Sequence, residues 1–381
     1  MSTFDVTKSL GLETIEHRES RLLAPYAVHS ADSRGRQYHE PNHPYRGPFQ
    51  RDRDRIIHTA AYRRLSAKTQ VFTGEMGDYH RTRLTHTHEV ASIARTIARA
   101  LRLNEDLVEA LALLHDIGHP PFGHSGEDVL DECLEGEGRF SHNDQALRIV
   151  ELLEIRYHDF TGLNLSHETL DGQRFRTEKT SEKFRPSLEA QAVDAADSIA
   201  YDSHDADDAL ELGLLCLDDL HSVRLWREAV GRVRTEMAAL DESSLRRAVV
   251  HQLIDWQVSD LLHDSSERLA EFAFPNANEA RLSDPVIRQS SGLVEMKTEL
   301  EQFLFRHVYR HPGVVADRDL AQAALREIFA VYHRREGLLP KSYRSRIGSA
   351  GLRRTICDYL AGMTDRFAWR EHRRLCDPDE V

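Results

Sequence analysis

Apolar residues recur three and four positions apart along most of the 381-residue chain, a spacing that predicts amphipathic helices. In the segment that begins at His86, six residues form such an apolar face: Val90, Ile93, Ala94, Ile97, Ala98 and Leu101. The same pattern predicts further helices at 53–65, 105–115, 126–134, 143–156 and 188–210. Because no segment shows strand-like alternation of useful length, we expect an all-α protein.

The helical pattern also predicts how the chain is organised. Residues 1–51 lack a clear period and are interrupted by prolines, which favours an extended N-terminal arm. Residues 52–215 carry the helices named above and form the expected core. Further helical patterns in residues 216–381 predict an annex packed on that core. Residues 157–186 are the least helical part of the core, and their charged end, KTSEKFRP, is expected to be a loop.

The charge balance limits the classes of partner. Lys and Arg number 50 against 63 Asp and Glu, so the formal net charge is −13, which does not suit a protein that coats nucleic acid over its whole surface. Two segments are nevertheless basic, RDRDRIIHTAAYRRLSAK and RSRIGSAGLRR, and each is either a solvated face or a phosphate-binding surface.

Compartment is indicated by what the sequence lacks. It has no apolar run long enough to span a bilayer, and its first residues do not have the charged and apolar regions of a signal peptide. The four cysteines lie far apart without a CxxC pair, which favours reduced thiols. We therefore expect a cytoplasmic protein that does not bind membranes.

The stretch HDIGHPPFGHSGED, residues 115–128, carries the strongest chemical signal. Adjacent side chains do not share a helix face, but at the last turn of a helix His115 and Asp116 can both face one ion. Imidazole nitrogen and carboxylate oxygen together suit a divalent metal of intermediate hardness. His86, in the first turn of a buried helix, is a third candidate ligand. Asp197 lies on a core-facing helix where an unpaired carboxylate would be costly, and it is the fourth.

The order His86, His115–Asp116, Asp197 on three successive helices resembles the HD-domain metal-dependent phosphohydrolases. The likeness extends to six blocks between residues 52 and 367, which resemble the shorter form of the deoxyguanosine-triphosphate triphosphohydrolase-like (dGTPase-like) family: DRDRIIHTAAYRRLSAKTQVF, RTRLTHTHEV, HDIGHPPFGHSGE, GLNLSHETL, SLEAQAVDAADSIAY and DYLAGMTDRFA. The resemblance implies an HD-domain helical core and one divalent metal held by these four residues. Mg²⁺ or Mn²⁺ is expected first, with Co²⁺, Ni²⁺ or Zn²⁺ as alternatives.

The resemblance also implies catalytic roles for His124 and Glu127. The two residues are three positions apart on the turn into a helix, so their side chains can point the same way. Cleavage of a phosphate ester needs a proton for the departing alkoxide, and His124 is the candidate to interact with that oxygen or to donate the proton. Glu127 would orient His124. The alternative is that Glu127 only complements the positive end of the helix dipole.

Substrate contacts are expected from two groups of residues. Tyr201 and Asp205 follow Asp197 at intervals of four, hence on one helix face, where Tyr201 would pack on a deoxyribose and Asp205 would accept a sugar hydroxyl. The alternatives are helix packing for Tyr201 and a solvated carboxylate for Asp205. Arg64, Lys68 and Arg83 are the candidates to bind the triphosphate, and the alternative for each is a surface cation without a ligand. Gln70 is the candidate to contact a base or sugar edge.

The reaction implied by the resemblance converts a deoxynucleoside triphosphate (dNTP) and water to a deoxynucleoside and tripolyphosphate, catalysed by a homo-oligomer. Two alternatives remain open on the sequence. One is an HD hydrolase acting on another nucleotide, such as a nucleoside 5′-monophosphate or an alarmone. The other is a nucleotide-responsive protein whose basic segments bind single-stranded nucleic acid, without turnover.

Overall fold

The computed structural model describes residues 13–70, 81–177, 185–237 and 240–376. In these ranges the ordered backbone is helical, and β-pairing is limited to isolated bridges such as that between Arg36 and Ser166. The all-α prediction is therefore confirmed. The helices are α1 Ile15–Leu22, α2 Pro48–Ile57, α3 Ala60–Arg64, α4 Arg83–Ala100, α5 Glu105–Leu114, α6 Gly123–Cys133, α7 His142–Arg148, α8 His167–Thr177, α9 Leu188–Glu211, α10 Arg224–Glu236, α11 Glu242–Phe272, α12 Ala277–Leu282, α13 Ser291–His307, α14 Pro312–Arg334, α15 Lys341–Arg344, α16 Ile347–Ala350, α17 Leu352–Ala361 and α18 Asp365–Cys376.

Several helices differ from the sequence predictions. The helix expected at 53–65 is two helices, because Thr59 takes an extended conformation and its side chain caps α3 by accepting from the Tyr62 N–H. The helix expected at 143–156 is α7 followed by a π-helical turn at Ile149–Leu153. The segment expected to be least helical contains α8, so that prediction is wrong there. Its charged end, residues 178–184, lies outside the described residues.

The chain divides into two compact units, each assembled from separated stretches. The first comprises the described parts of Met1–Ile56, His88–Leu113 and Asn164–Arg310; the second comprises those of Ile57–Thr87, Leu114–Leu163 and His311–Val381. This grouping differs from the contiguous arm, core and annex expected from the sequence. The division into those three domains stays a prediction. Within the described residues, no helix is both long and apolar enough to cross a membrane.

The core of the first unit is built from the apolar faces of α4, α5, α9 and α11. All six residues predicted for the apolar face of α4 are buried, which confirms the period assigned to it. Burial of each large aliphatic side chain contributes about 1.5–3 kcal/mol relative to exposure. Other buried residues of the same core include Leu107, Val108, Leu111, Val193, Ala196, Ile199, Val258 and Leu261.

The N-terminal arm is fixed within the first unit by a buried carboxylate. Asp52, fully buried on α2, pairs with Arg36 from the arm. Its Oδ2 also accepts from the Ser166 N–H at 2.9 Å and from the Thr169 hydroxyl at 2.8 Å, at the start of α8. Because a buried charge must be paired and hydrogen-bonded, these contacts fix the arm and the start of α8 to one point.

The core of the second unit joins α6 to helices from the end of the chain. Val129 and Leu130 of α6 pack with Leu325 and Ile328 of α14, and α17 and α18 complete the cluster. Helix α6 is thus stabilised by contacts with helices that lie about 200 residues later in the chain, α14, α17 and α18.

Gly118 sets a close contact between two parts of the second unit. It lies in the turn that follows α5, and a Cβ at this position would be 2.0 Å from the carbonyl oxygen of His142 and 2.4 Å from the amide nitrogen of Ala146. Both atoms belong to the backbone of α7 and cannot rotate away. Only glycine therefore allows α7 to approach the turn this closely.

We expect Gly118→Ala to lower the free energy of unfolding by about 1–3 kcal/mol or more, as overpacking against a rigid backbone does. Gly231→Ala in α10 is the matched control, because no atom lies within 4 Å of a Cβ placed there. That control should gain about 0.5–1 kcal/mol, since alanine is a better helix former. Denaturant midpoints measure both, and an unchanged midpoint for Gly118→Ala would contradict the packing described.

Candidate metal centre and active site

Three of the expected metal ligands meet in the second unit. His86 lies in the first turn of α4, and His115 and Asp116 follow directly after the last residue of α5. One donor atom from each lies within 4.8 Å of the others, and the three residues are at most 3% exposed. The two imidazole rings are edge to face with centroids 5.8 Å apart. The start of α4 and the end of α5 thus bring the three donors together at one buried point.

The chemistry of these donors suits a divalent cation. Two imidazole nitrogens and one carboxylate oxygen are ligands that zinc and the first-row transition metals accept, and hard cations use the carboxylate. Three protein ligands leave coordination positions for a fourth protein ligand, water or substrate. The residues present therefore fit the metal that the resemblance implies, whichever of the expected cations it is.

Asp116 is held as an anion although it is buried. Burial acts to raise the pKa of its carboxyl, but the contact with His119 and the charge of Arg83 outweigh this and hold the pKa well below its usual range. The Nδ1 of His119 lies 2.9 Å from Oδ1, and Arg83 Nη1 donates to Oδ2 at 3.0 Å. Burial and the nearby Arg83 also keep the pKa of His119 well below its usual range. A negative ligand is thus available at neutral pH.

A second group of donors lies beside the first. Glu127 Oε2 is 2.9 Å from His124 Nδ1, and Glu127 Oε1 is 2.8 Å from His142 Nδ1. The backbone N–H of His142 also donates to Oε1 at 2.8 Å. The His142 ring stacks on His119 with centroids 3.8 Å apart. Burial acts to raise the pKa of Glu127, but the hydrogen bonds from His124 and His142 lower it far below its usual range.

This arrangement orients His124 by one ring nitrogen. Because Nδ1 faces the carboxylate, Nε2 is the nitrogen that can meet a ligand. The His124 side chain is 63% exposed, whereas that of Glu127 is 16% exposed, so the imidazole is accessible to solvent and the carboxylate that orients it is mostly buried. Glu127 therefore contacts two imidazoles, which is more than a residue that only complements a helix dipole would do. A proton-transfer role for His124 and Glu127 stays a prediction.

Two members of this group were missed by sequence reasoning. His119 lies in the same motif as His115, and its spacing of three from Asp116 was the signal that could have identified it. His142 follows Ser141, which caps α7, and nothing in its local sequence indicates chemistry. It reaches the site because Gly118 lets α7 approach.

The candidate phosphate-binding cations occupy different environments. The side chain of Arg83 is 2% exposed, and its second guanidinium nitrogen donates to the carbonyl of Gln70 at 3.1 Å. Lys68 donates to the carbonyl oxygens of His119 at 2.5 Å and Ala361 at 2.9 Å, and burial lowers its pKa to about 7. Arg64 is exposed and Gln70 is 8% exposed. Contact of any of these with phosphate or base stays a prediction.

The other expected site residues lie on α9, in the first unit. The side chain of Asp197 is 23% exposed and pairs with Arg176, and its role as the fourth ligand stays a prediction. Asp205 is 1% exposed and accepts a hydrogen bond from the hydroxyl of Tyr309, so its interpretation as a solvated carboxylate is wrong. Burial raises the pKa of Tyr201, which lies near the same carboxylate. Their contacts with a sugar stay predictions.

The block DYLAGMTDRFA has a structural role that the sequence did not show. Asp365, at the start of α18, accepts from the Phe122 N–H at 3.0 Å through one oxygen. Its other oxygen accepts from the N–H and the hydroxyl of Thr69, at 2.9 and 2.6 Å. Phe122 has a left-handed backbone, with φ of 64°, a conformation that a bulky residue rarely adopts without support. Asp365 therefore holds the turn that precedes His124.

Comparison with known families identifies the class of protein. A model of the HD domain matches residues 83–202, which include all four expected metal ligands, and a model of the phosphohydrolase-associated domain matches residues 287–374. With the buried His/His/Asp cluster, these matches define a metal-dependent phosphohydrolase of the HD class. HD domains bind divalent metals, and the His86, His115 and Asp116 cluster offers such a metal two imidazoles and a carboxylate.

Near full-length relatives narrow the class further. Proteins called deoxyguanosinetriphosphate triphosphohydrolase-like are 44% identical in Geobacter metallireducens, over 97% of this chain and 99% of that protein, and 43% identical in Thiobacillus denitrificans, over 94% and 98%. One from Brucella ovis is 45% identical over 94% of this chain and 96% of its own. The chain belongs to this family, as the sequence blocks predicted.

A solved structure of a hypothetical protein from Aquifex aeolicus aligns with 76% of this chain and 79% of its own, at 18% identity and a TM-score of 0.31. A likeness at that level adds nothing to the assignment.

We expect His115→Ala and Asp116→Asn to remove bound metal and abolish turnover while the helical fold persists. Asp116→Asn should also lower the melting temperature, because Arg83 then remains buried without its carboxylate. His204→Ala is a control for the loss of a buried histidine outside the cluster, and it should retain metal. Elemental analysis of the purified variants measures this, and full metal occupancy in both cluster variants would refute the assignment.

Proposed function

We propose that this protein is a dNTP triphosphohydrolase, which converts a dNTP and water to a deoxynucleoside and tripolyphosphate. The observation that carries the proposal is the pairing, in one unit, of the His86, His115 and Asp116 cluster with a His124–Glu127 couple 2.9 Å apart. The near full-length likeness to triphosphohydrolase-like proteins supports this substrate class over other nucleotides.

The metal cluster would act at the α-phosphate. His86, His115 and Asp116 would hold the cation, and Asp197 would be its fourth ligand. When bound, a divalent metal supplies positive charge that polarises a phosphoryl oxygen. We expect Mg²⁺ or Mn²⁺, with Co²⁺, Ni²⁺ or Zn²⁺ as alternatives. The low pKa of Asp116 keeps this ligand ionised throughout the physiological range.

His124 and Glu127 would serve the departing 5′-oxygen. Glu127 fixes the Nδ1 side of the imidazole, so Nε2 of His124 would donate the proton that the leaving alkoxide needs. Water adds to the α-phosphorus as the bond to the 5′-oxygen breaks. The oxygen of that water ends in tripolyphosphate, and the deoxynucleoside keeps its original 5′-oxygen.

The remaining candidates would position the substrate. Tyr201 would pack on the deoxyribose and Asp205 would accept a sugar hydroxyl. Arg64 is the exposed cation of the set and is free of the burial that constrains Lys68 and Arg83. Lys68 and Arg83 would bind the outer phosphates while they also donate to the carbonyl and carboxylate oxygens that they contact in the structure. Gln70 would contact a base or sugar edge. Homo-oligomeric assembly and a cytoplasmic location are part of the same proposal.

The product and the position of isotope distinguish this reaction from its alternatives. All dNTPs and NTPs, singly and in pairs, are incubated with Mg²⁺, Mn²⁺ or Co²⁺ in H₂¹⁸O, and the products are resolved by mass spectrometry. We expect a deoxynucleoside without label and tripolyphosphate with it. Release of a monophosphate with pyrophosphate, or of orthophosphate first, would favour another nucleotide hydrolase, and DNA binding without turnover would favour the binding protein.

We expect His124→Ala and Glu127→Gln to keep metal and nucleotide binding and to reduce turnover by about 10²–10⁴, the usual range for a positioned proton donor. His158→Ala removes another exposed histidine of the same unit and should leave turnover unchanged. Steady-state rates at saturating nucleotide measure the effect. Turnover within a factor of a few of wild type in both variants would exclude the proton-transfer role.

A further inference from the structure

A third group of metal-ligand side chains lies on α14 and α18 in the second unit. Nε2 of His372 is 2.6 Å from Oε2 of Glu327. One donor atom from each of Glu327, His372 and Cys376 lies within 4.8 Å of the other two. His372 and Cys376 are four residues apart, hence on one face of α18. A carboxylate, an imidazole and a thiol from two helices therefore converge without any member of the HD cluster.

The helices that carry these donors are fixed against each other. The hydroxyl of Tyr332 on α14 donates to Glu371 on α18, and Arg374 donates to the same carboxylate at 2.7 Å. Ala368 is fully buried in the core of this unit, and Trp369 contacts Phe122 with ring centroids 5.3 Å apart. The donors are thus placed by packing that does not depend on a metal.

The group is also accessible from solvent, and it includes a carboxylate that can face a cation. The side chains of Glu327 and His372 are 59% and 18% exposed. Cys376 is the last described residue of α18, and it is partly buried. Two arginines of α18, Arg373 and Arg374, lie beside these donors in the sequence, and Glu371 balances the charge of Arg374.

We propose that Glu327, His372 and Cys376 bind a borderline-soft divalent cation of the Zn²⁺ class, with solvent in the remaining position. Thiolate, imidazole and carboxylate are the three protein ligand types of zinc, and the thiolate disfavours Mg²⁺ and Ca²⁺. Binding would replace the hydrogen bond between His372 and Glu327 and release the thiol proton. The site would be independent of the HD cluster, whose donors are nitrogen and oxygen only.

The sulfur ligand gives this site a signature that the HD cluster cannot produce. Metal-free full-length protein is titrated with Co²⁺, and the sulfur-to-cobalt charge-transfer absorption is recorded. We expect one equivalent of this band per chain, lost in Cys376→Ser. Cys216→Ser, at an exposed cysteine of the first unit, is the matched control and should keep it. His115→Ala should also keep it, so this result does not depend on the proposed function.

The other two ligands are tested by affinity. Competition of Zn²⁺ against the bound Co²⁺ should show His372→Ala and Glu327→Gln binding at least about tenfold more weakly than wild type, since even the loss of an outer-sphere partner commonly has that effect. Circular dichroism checks that each variant is helical. A wild-type protein without the band, a band that survives in Cys376→Ser, or unchanged affinity in both other variants would overturn the proposal.

Discussion

The negative charge buried at Asp116 is the constraint around which the second unit is arranged. An ionised carboxylate that is 3% exposed is unstable unless positive groups and hydrogen-bond donors surround it. Arg83 arrives from the start of α4 and His119 from the turn after α5, so the pairing fixes both segments. Removal of one member of a buried ion pair commonly costs about 3–5 kcal/mol. The geometry that suits a metal is therefore also the geometry that stabilises this part of the fold.

A second requirement is that the turn before His124 be supported from outside its own sequence. Phe122 has a left-handed backbone, and Asp365 accepts its N–H while also binding Thr69. The C-terminal helices thus support this turn, although they contribute none of the four expected ligands of the HD metal site. The block DYLAGMTDRFA, which resembles a block of the family, therefore has a role in supporting this turn. It also gives physical content to the matched phosphohydrolase-associated domain, which contains Asp365.

Sequence periodicity predicted the helical class and the buried face of α4, because a long amphipathic helix shows its packing in its own pattern. The adjacent His115–Asp116 pair and His86 were identifiable because helix ends and donor chemistry are local properties. His142 was not, since its place depends on a glycine at residue 118 that permits close backbone approach. α8 was missed because its helix has few apolar residues. A Cβ at its Gly172 would be 2.5 Å from the side chain of Leu111, so tertiary contact positions this helix.

The bonds made by Asp365 have a consequence for the order of events during synthesis. They join residues separated by 243 and 296 positions along the chain. Contacts this distant in sequence form late and slow folding, because the intervening chain must be ordered first. While a ribosome is still translating the segment before residue 365, the nascent polypeptide holds the four expected ligands of the HD metal site but lacks the carboxylate that supports the turn before His124. The proposed nucleotide hydrolysis would accordingly begin only after α18 has been translated, and translation products that stop before residue 365 would not consume nucleotides.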